Sequence, residues 1–210
     1  MSIGRGRKLV KEDRWSRIFE EESNNLTIES KFDTDGLSIS SGDLEKDWKG
    51  WDQAERISFV GAFTGKPQFS IEDESILEFL MRNGNSQTWL MLALSLRFHS
   101  NKQMVIEFLM EQMKSDFRPK ANFEQALGVI GDQSAIPVLL SEYDSDRVAI
   151  ASSQNSPPDT DLIIDYLCCC SALLTLGAPG DYVNEIRKYI EHPDQAVRQS
   201  AIRRLGAKEP

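Results

Sequence analysis

Residues 123–143, FEQALGVIGDQSAIPVLLSEY, read as one helix, a Gly-Asp turn and a second helix folding back along the first. Ala126, Leu127, Val129 and Ile130 give the first helix its apolar side. Gly131 is expected to end it, because glycine enters the left-handed conformation without steric cost. Pro137 falls in the first turn of the next helix, where a missing N–H is tolerated. Ile136, Leu139, Leu140 and Tyr143 then recur at three- and four-residue spacing. A lone hairpin of this kind cannot cover its own apolar face. It must stack on neighbours, so the chain should contain copies of it.

The copies are there. ILEFLM at residues 76–81 is echoed by VIEFLM at 105–110, an offset of 29. Leu109 maps onto Leu139 at an offset of 30, and Leu139 onto Ile186, within YVNEIRKYI, at an offset of 47. The first helices give a parallel series: ALGVIG at 126–131 matches ALLTLG at 172–177 after 46 residues, and AIRRLG at 201–206 follows 29 later. The long spacing exceeds the short one by 17 residues, the length of SDRVAIASSQNSPPDTD at 145–161, a Ser-, Asp- and Pro-rich stretch that reads as a loop insertion. A period of about thirty residues is the signature of a repeat architecture. Leu80, Leu109, Leu139 and Ile186 should be equivalent buried positions in successive second helices.

The chain has 210 residues, 27% of them charged and 40% hydrophobic, which is ordinary for a folded protein and unlike a disordered one. No apolar run approaches the roughly 20 residues that span a bilayer. The opening MSIGRGRKLVKEDRW has no following apolar stretch, so neither a secretory signal nor a membrane partner is expected. Three adjacent cysteines, Cys168, Cys169 and Cys170, argue against a disulfide framework and suit a reducing, cytoplasmic location.

Residues 1–45 differ from the rest. Residues 1–17 carry six basic side chains against Glu12 and Asp13, a balance of +4, so the remainder carries −13 of the whole chain's −9. They read as a solvated basic arm. Leu26, Ile28, Phe32, Leu37 and Ile39 alternate around Asp33-Thr34-Asp35-Gly36, which suggests a small β-hairpin or an extended cap. From residue 46 onward helical pairs follow: near 48–64 with 70–83, near 86–98 with 102–114, then 120–143, then 161–176 with 181–191, and a final helix over 196–205 without a partner. The helix TWLMLALSLRF at 88–98 is apolar nearly all round and is expected to be the central buried one. The predicted fold is all-α, a right-handed α-solenoid of about four and a half helix pairs.

HPDQAVRQSAIRRLG at 192–206 resembles the first helix of a HEAT repeat, with its Pro-Asp turn followed by Val-Arg, Ala and Leu-Gly. GDQSAIPVLL at 131–140 resembles the turn and second helix of the same family in its short bacterial form. The likeness is clearest over 121–206, and Asp194 and Arg198 meet the family's aspartate and arginine positions. It implies an α-solenoid whose second helices line a concave, protein-binding surface. A few relatives are enzymes, so a fold of this kind does not itself fix activity.

No constellation of catalytic residues is visible. The three cysteines project about 100° apart on a helix and cannot converge on one metal; they read as small apolar packing. His99 and His192 sit at helix ends in different repeats and read as complements to the negative helix terminus. No phosphate-binding loop, paired-histidine motif or cofactor fingerprint is present, so no cofactor and no metal is expected. Trp89 reads as core, and Trp48 and Trp51 as either core or contact surface.

Surface charge is what remains. Glu78 and Glu107 occupy the same place in ILEFLM and VIEFLM, Glu111 lies four residues after Glu107, and Glu142 is expected to continue the ladder. Arg187 reverses the sign at the far end, where Lys188, Arg198, Arg203 and Arg204 add positive charge. Such a strip would orient a partner. The expected function is a non-enzymatic protein-binding module for a protein or peptide with a basic surface, in the setting of an adaptor or a toxin-neutralising protein. A DNA-repair glycosylase on a HEAT-like scaffold is the alternative, but phosphate binding needs basic grooves and −13 weighs against nucleic acid. A lyase or chaperone for tetrapyrrole-bearing proteins is a further alternative, with no pigment site visible.

Overall fold

The computed structural model describes residues 39–66, 68–115, 120–153 and 158–206. Among the described residues there are ten α-helices and no strand: α1 (Ser41–Trp48), α2 (Gln53–Thr64), α3 (Ile71–Asn83), α4 (Ser86–Leu92), α5 (Lys102–Met113), α6 (Ala121–Ile130), α7 (Ile136–Ser152), α8 (Thr160–Thr175), α9 (Tyr182–Arg187) and α10 (Gln195–Gly206). Short 3-10 segments at Ser95–Phe98 and Gln133–Ala135 complete the set. The basic arm over 1–17 and nearly all of the expected hairpin lie outside the described residues. The all-α expectation holds.

Helix ends follow local chemistry. Asp52, Ser70 and Asn85 each accept a backbone N–H three residues on, from Glu55, Asp73 and Thr88, whose side chains accept the cap residue's own N–H in return. These reciprocal pairs satisfy donors that the first helical turn cannot. Gly131 closes α6 with φ +82°, the left-handed turn its position in the sequence predicts, and Gly177 does the same after α8 with φ +70°. Pro137 sits in the first turn of α7.

Packing alternates along the chain. α2 packs on α4, α4 on α6, α6 on α8 and α8 on α10; in the other series α1 packs on α3 and α5 on α7. Consecutive helices close the layers at α3–α4, α5–α6, α7–α8, α8–α9 and α9–α10. Leu80, Leu109, Leu139 and Ile186 are at most 1% exposed, as equivalent core positions should be. α6 approaches α8 closely: a Cβ added at Gly128 would lie 2.9 Å from the Cα of Ala172. Only glycine permits that separation.

Four details depart from the sequence expectation. The helix at the centre is α8, packed by α6, α7, α9 and α10, and not the apolar stretch near 88–98. That stretch breaks after Leu92 and resumes as a 3-10 turn, leaving Trp89, Leu90, Met91 and Leu94 only partly buried. Second, α7 lies against α8 more than back along α6, with Tyr143 stacked on Tyr166 at 5.3 Å. Third, the supposed insertion is helical through Ser152, since Ala149 and Ala151 favour helix and Ile150 packs on the core. Fourth, α1 begins at Ser41, ahead of the boundary expected at residue 46.

Candidate interaction surface

The acidic positions lie on helices α3, α5 and α7, and the structure divides them. Glu107 is exposed on α5, accepting the Gln103 amide at 2.7 Å. Glu111, one turn on, is 70% exposed and pairs loosely with Lys114 at 3.1 Å. Glu78 on α3 is half-buried; it pairs with Arg82 at 3.4 Å, and its Oε1 lies 3.6 Å from His99 Nε2. It lines a shallow polar cleft between α1 and α3, with Glu45, Ser75 and Arg82 on the rim. Arg187 is exposed on α9, its guanidinium donating to Asn184 Oδ1 at 3.2 Å.

Glu142 leaves the ladder. Its carboxylate accepts from Lys120 Nζ at 3.0 Å, the two side chains being 15% and 8% exposed. The cause is register: at the offset of 30 that relates Leu109 to Leu139, Glu142 aligns with Gln112, while Pro137 and Ser141 take the places of Glu107 and Glu111. Of the four acidic candidates, those open to solvent therefore lie on α3 and α5. At the next offset of 47, Lys188 takes the place of Ser141, and its ammonium pairs with Glu185 at 2.7 Å. At these offsets the column reads Arg82, Glu111, Ser141 and Lys188.

Lys120 belongs to a buried polar node that spacing in the sequence does not reveal. Its ammonium also donates to the Met113 carbonyl at 2.6 Å, which ties the end of α5 to the start of α6 and to α7. Asp165 from α8 accepts the Lys120 and Ala121 backbone N–H groups at 3.0 and 2.9 Å, capping α6 from 45 and 44 residues away. Glu124 and Asp146 are likewise fully buried. Lys120, Glu142 and Asp165 fasten α5, α6, α7 and α8 together. The one signal in the sequence was negative: no Ser, Thr, Asp or Asn stands at the α6 N-cap.

The remaining candidates are structural. Cys168, Cys169 and Cys170 are all buried. Burial pushes the Cys168 and Cys170 thiols up to about 12, and that of Cys169 well above its ordinary value. Thiols held protonated in this way are poor nucleophiles. Cys169 donates to the Leu139 carbonyl at 3.0 Å, and Cys168 is contacted by the Arg204 guanidinium. The histidines do not serve the helix ends they follow. His99 Nδ1 accepts the Asn101 N–H at 3.0 Å and His192 Nδ1 accepts the Asp194 N–H at 3.2 Å. Each thereby fixes the residue that caps the next helix, Asn101 for α5 and Asp194 for α10. Arg198 donates to the His192 and Pro193 carbonyls, closing the same turn. Trp89 is partly buried with its indole N–H on the Leu80 carbonyl at 3.1 Å, and Trp48 is 5% exposed.

No group of three metal-ligating side chains converges among the described residues. None of their helices is long and apolar enough to cross a membrane. Compared with family models, with curated proteins and with solved structures, the chain finds no match.

Proposed function

We propose that this chain is a HEAT-like solenoid acting as a non-enzymatic protein-binding module, with the helices α3, α5, α7 and α9 as its recognition face. The observation that carries this reading is charge at repeat spacing: Glu78 and Glu107 occupy equivalent positions 29 residues apart, with Glu111 beside them and Arg187 and Lys188 at the far end. Contacts of helices two apart run from α2 through α4, α6 and α8 to α10 and support a stacked arrangement in that series, as repeats touching only their neighbours would produce; in the α3–α5–α7–α9 series α5 and α7 are the pair that packs in this way. The preferred partner is a protein or peptide with a basic segment over α3 and α5 and an acidic one toward α9. Glu142 does not belong to the recognition set, since it holds Lys120. Arg82 and Lys114 screen Glu78 and Glu111 in the free protein and are exposed, so a basic partner displaces them at small cost.

The test uses a partner captured from cell extract on the immobilised full chain and then purified. Glu107→Lys with Glu111→Lys is expected to slow association by about tenfold or more, and to flatten its decline with added salt. Deleting residues 1–17 should change the rate little. If the charge reversal leaves rate and salt dependence untouched while the deletion abolishes binding, recognition resides in the basic arm instead.

A further inference from the structure

Asn83 and Gly84 form the one Asn-Gly pair of the chain. The pair stands at the junction of α3 and α4, where Asn83 is the last residue of α3 and Asn85 caps α4. Packing explains the glycine. Its φ of −73° is open to any residue, but a Cβ there would lie 2.6 Å from the Leu80 carbonyl oxygen, from Thr88 Oγ1 and from Trp89 Nε1. Hydrogen bonding explains the asparagine, whose Nδ2 turns back along the helix and donates to the Phe79 carbonyl at 2.9 Å. The Gly84 N–H donates to the Leu80 carbonyl at 2.9 Å, and the Trp89 indole N–H reaches the same oxygen at 3.1 Å. Both halves of the pair are thus held, although Asn83 itself is exposed.

We infer that Asn83 is a site of self-modification, held back by the closed α3–α4 junction. An Asn-Gly pair carries its own nucleophile. When the Gly84 amide gives up its proton to base, its nitrogen attacks Asn83 Cγ. The new N–Cγ bond closes a five-membered imide, the Cγ–Nδ2 bond breaks and ammonia leaves. Water then opens the imide at either carbonyl, giving aspartate or isoaspartate. In the folded protein the Gly84 nitrogen keeps its proton in the bond to Leu80, and the Asn83 amide is bonded to Phe79. Ring closure needs both bonds broken, so it proceeds from molecules whose junction has opened. The product cannot close that junction again. Aspartate has no amide to donate to Phe79, and it sets a negative charge at the C-terminal end of α3, where the helix dipole opposes it. Isoaspartate adds a backbone carbon between α3 and α4, at a point too tight for a Cβ. Each opening that reacts is therefore irreversible, and it damages the helix that carries Glu78 and Arg82. None of this depends on what the α3–α5–α7–α9 series binds.

The experiment incubates the full chain at mildly alkaline pH, native and, separately, unfolded in guanidinium chloride. Peptide mapping by mass spectrometry follows aspartate and isoaspartate at position 83. In guanidinium Asn83 should react faster than any other asparagine of the chain. In the native protein it should react more slowly than in guanidinium by about tenfold or more, since only the opened fraction reacts. Thr88→Val removes the hydroxyl that accepts the Asn85 N–H at 2.7 Å, which loosens the start of α4. It should raise the native rate by about threefold or more. The rate in guanidinium should stay the same, because Asn83, Gly84 and their chain neighbours are unchanged. Asn83→Asp installs one of the two products, and it should lower the thermal midpoint and speed hydrogen exchange at the amides of residues 80–89. If Thr88→Val folds poorly, the wild-type comparison and Asn83→Asp decide the matter. A native rate equal to that in guanidinium, another asparagine leading in guanidinium, a folded Thr88→Val with the wild-type native rate, or an Asn83→Asp protein as stable and as protected as wild type would overturn the assignment.

Discussion

Helices α1–α5 and helices α6–α10 are packed with different side chains. Every tryptophan and phenylalanine of the chain lies at or before Phe123, and every tyrosine and cysteine lies after it. In the first region rings carry the packing. Trp48 meets Phe79 edge-on at 5.7 Å, Trp51 lies 5.3 Å from Phe59, Phe59 stacks on Phe63 at 6.0 Å, and Phe69 stacks on Phe98 at 5.1 Å. In the second region the contacts between helices use Gly128, Ala126, Cys169, Cys170, Ala172 and Ala201, with a cluster of four tyrosines to one side. Rings pack the helices of the first region against one another. Small side chains let backbones approach closely in the second, as at Gly128 and Ala172. One repeat period thus tolerates two ways of filling the space between layers.

The sharpest way to break this contrast is to remove a ring. Phe59 is fully buried and touches both Trp51 and Phe63. Phe59→Ala should cost about 3–5 kcal/mol, the usual range for deleting a buried aromatic side chain. Chemical denaturation with tryptophan fluorescence reads this directly, because Trp48 and Trp51 sit in the affected region. A loss below about 1 kcal/mol would mean that the first region closes around the missing ring, and that its packing does not depend on aromatic volume.

The converse test adds one carbon to the second region. Gly128→Ala should destabilise by about 1–3 kcal/mol, because the new Cβ has backbone in front of it and cannot be accommodated by a side-chain rotation. Gly42→Ala is the control in the first region. There an added Cβ meets nothing nearer than Ser40 Oγ at 3.9 Å. Helix propensity should make that change neutral or favourable by up to about 1 kcal/mol. Equal effects at the two glycines, measured by urea melts, would show that close approach does not distinguish the regions.

The two regions also differ in how much of each was legible in sequence. ILEFLM and VIEFLM repeat a packing unit outright, so Leu80 and Leu109, and through them Leu139 and Ile186, were placed in the core from spacing alone. Gly131 was legible because left-handed backbone selects glycine. What sequence concealed was the second region's polar interior. Glu124, Asp146 and Asp165 are apparent surface residues by type, yet all three are fully buried. Polar partners in this region stand far apart along the chain: Asp165 caps backbone 45 residues earlier, and Lys120 reaches Glu142 across 22. Local periodicity carries no information about such encounters. The same blindness let Asp146 and its serine neighbours pass for a loop, and it put Glu142 on a surface ladder that its register turns inward. Of the candidate surface, the positions on α3 and α5 were legible because the repeat there is nearly literal.

The smallest effect concerns acid, and it sharpens the contrast from the side of charge. In the first region the chief buried carboxylate is Asp73, 4% exposed, within the α3 cap. Burial alone would raise its pKa, but the Lys66 ammonium at 2.7 Å and the Ser70 N–H at 2.7 Å outweigh that and hold it below the usual aspartate value. A depressed folded-state pKa adds stability above the unfolded value, near pH 4, and that stability is lost as pH falls through the lower folded value. Lys66→Met removes the ammonium and leaves the Ser70 N–H in place, so it should cost about 1 kcal/mol at neutral pH. The difference between wild type and variant should shrink as pH falls from about 5 to 3. Hydrogen exchange at the α3 amides, compared with those of α8, locates the loss. If protection falls equally in α8, the two regions unfold as one unit in acid and the division between them is one of packing alone; if it falls in α3 first, the ring-packed region opens separately.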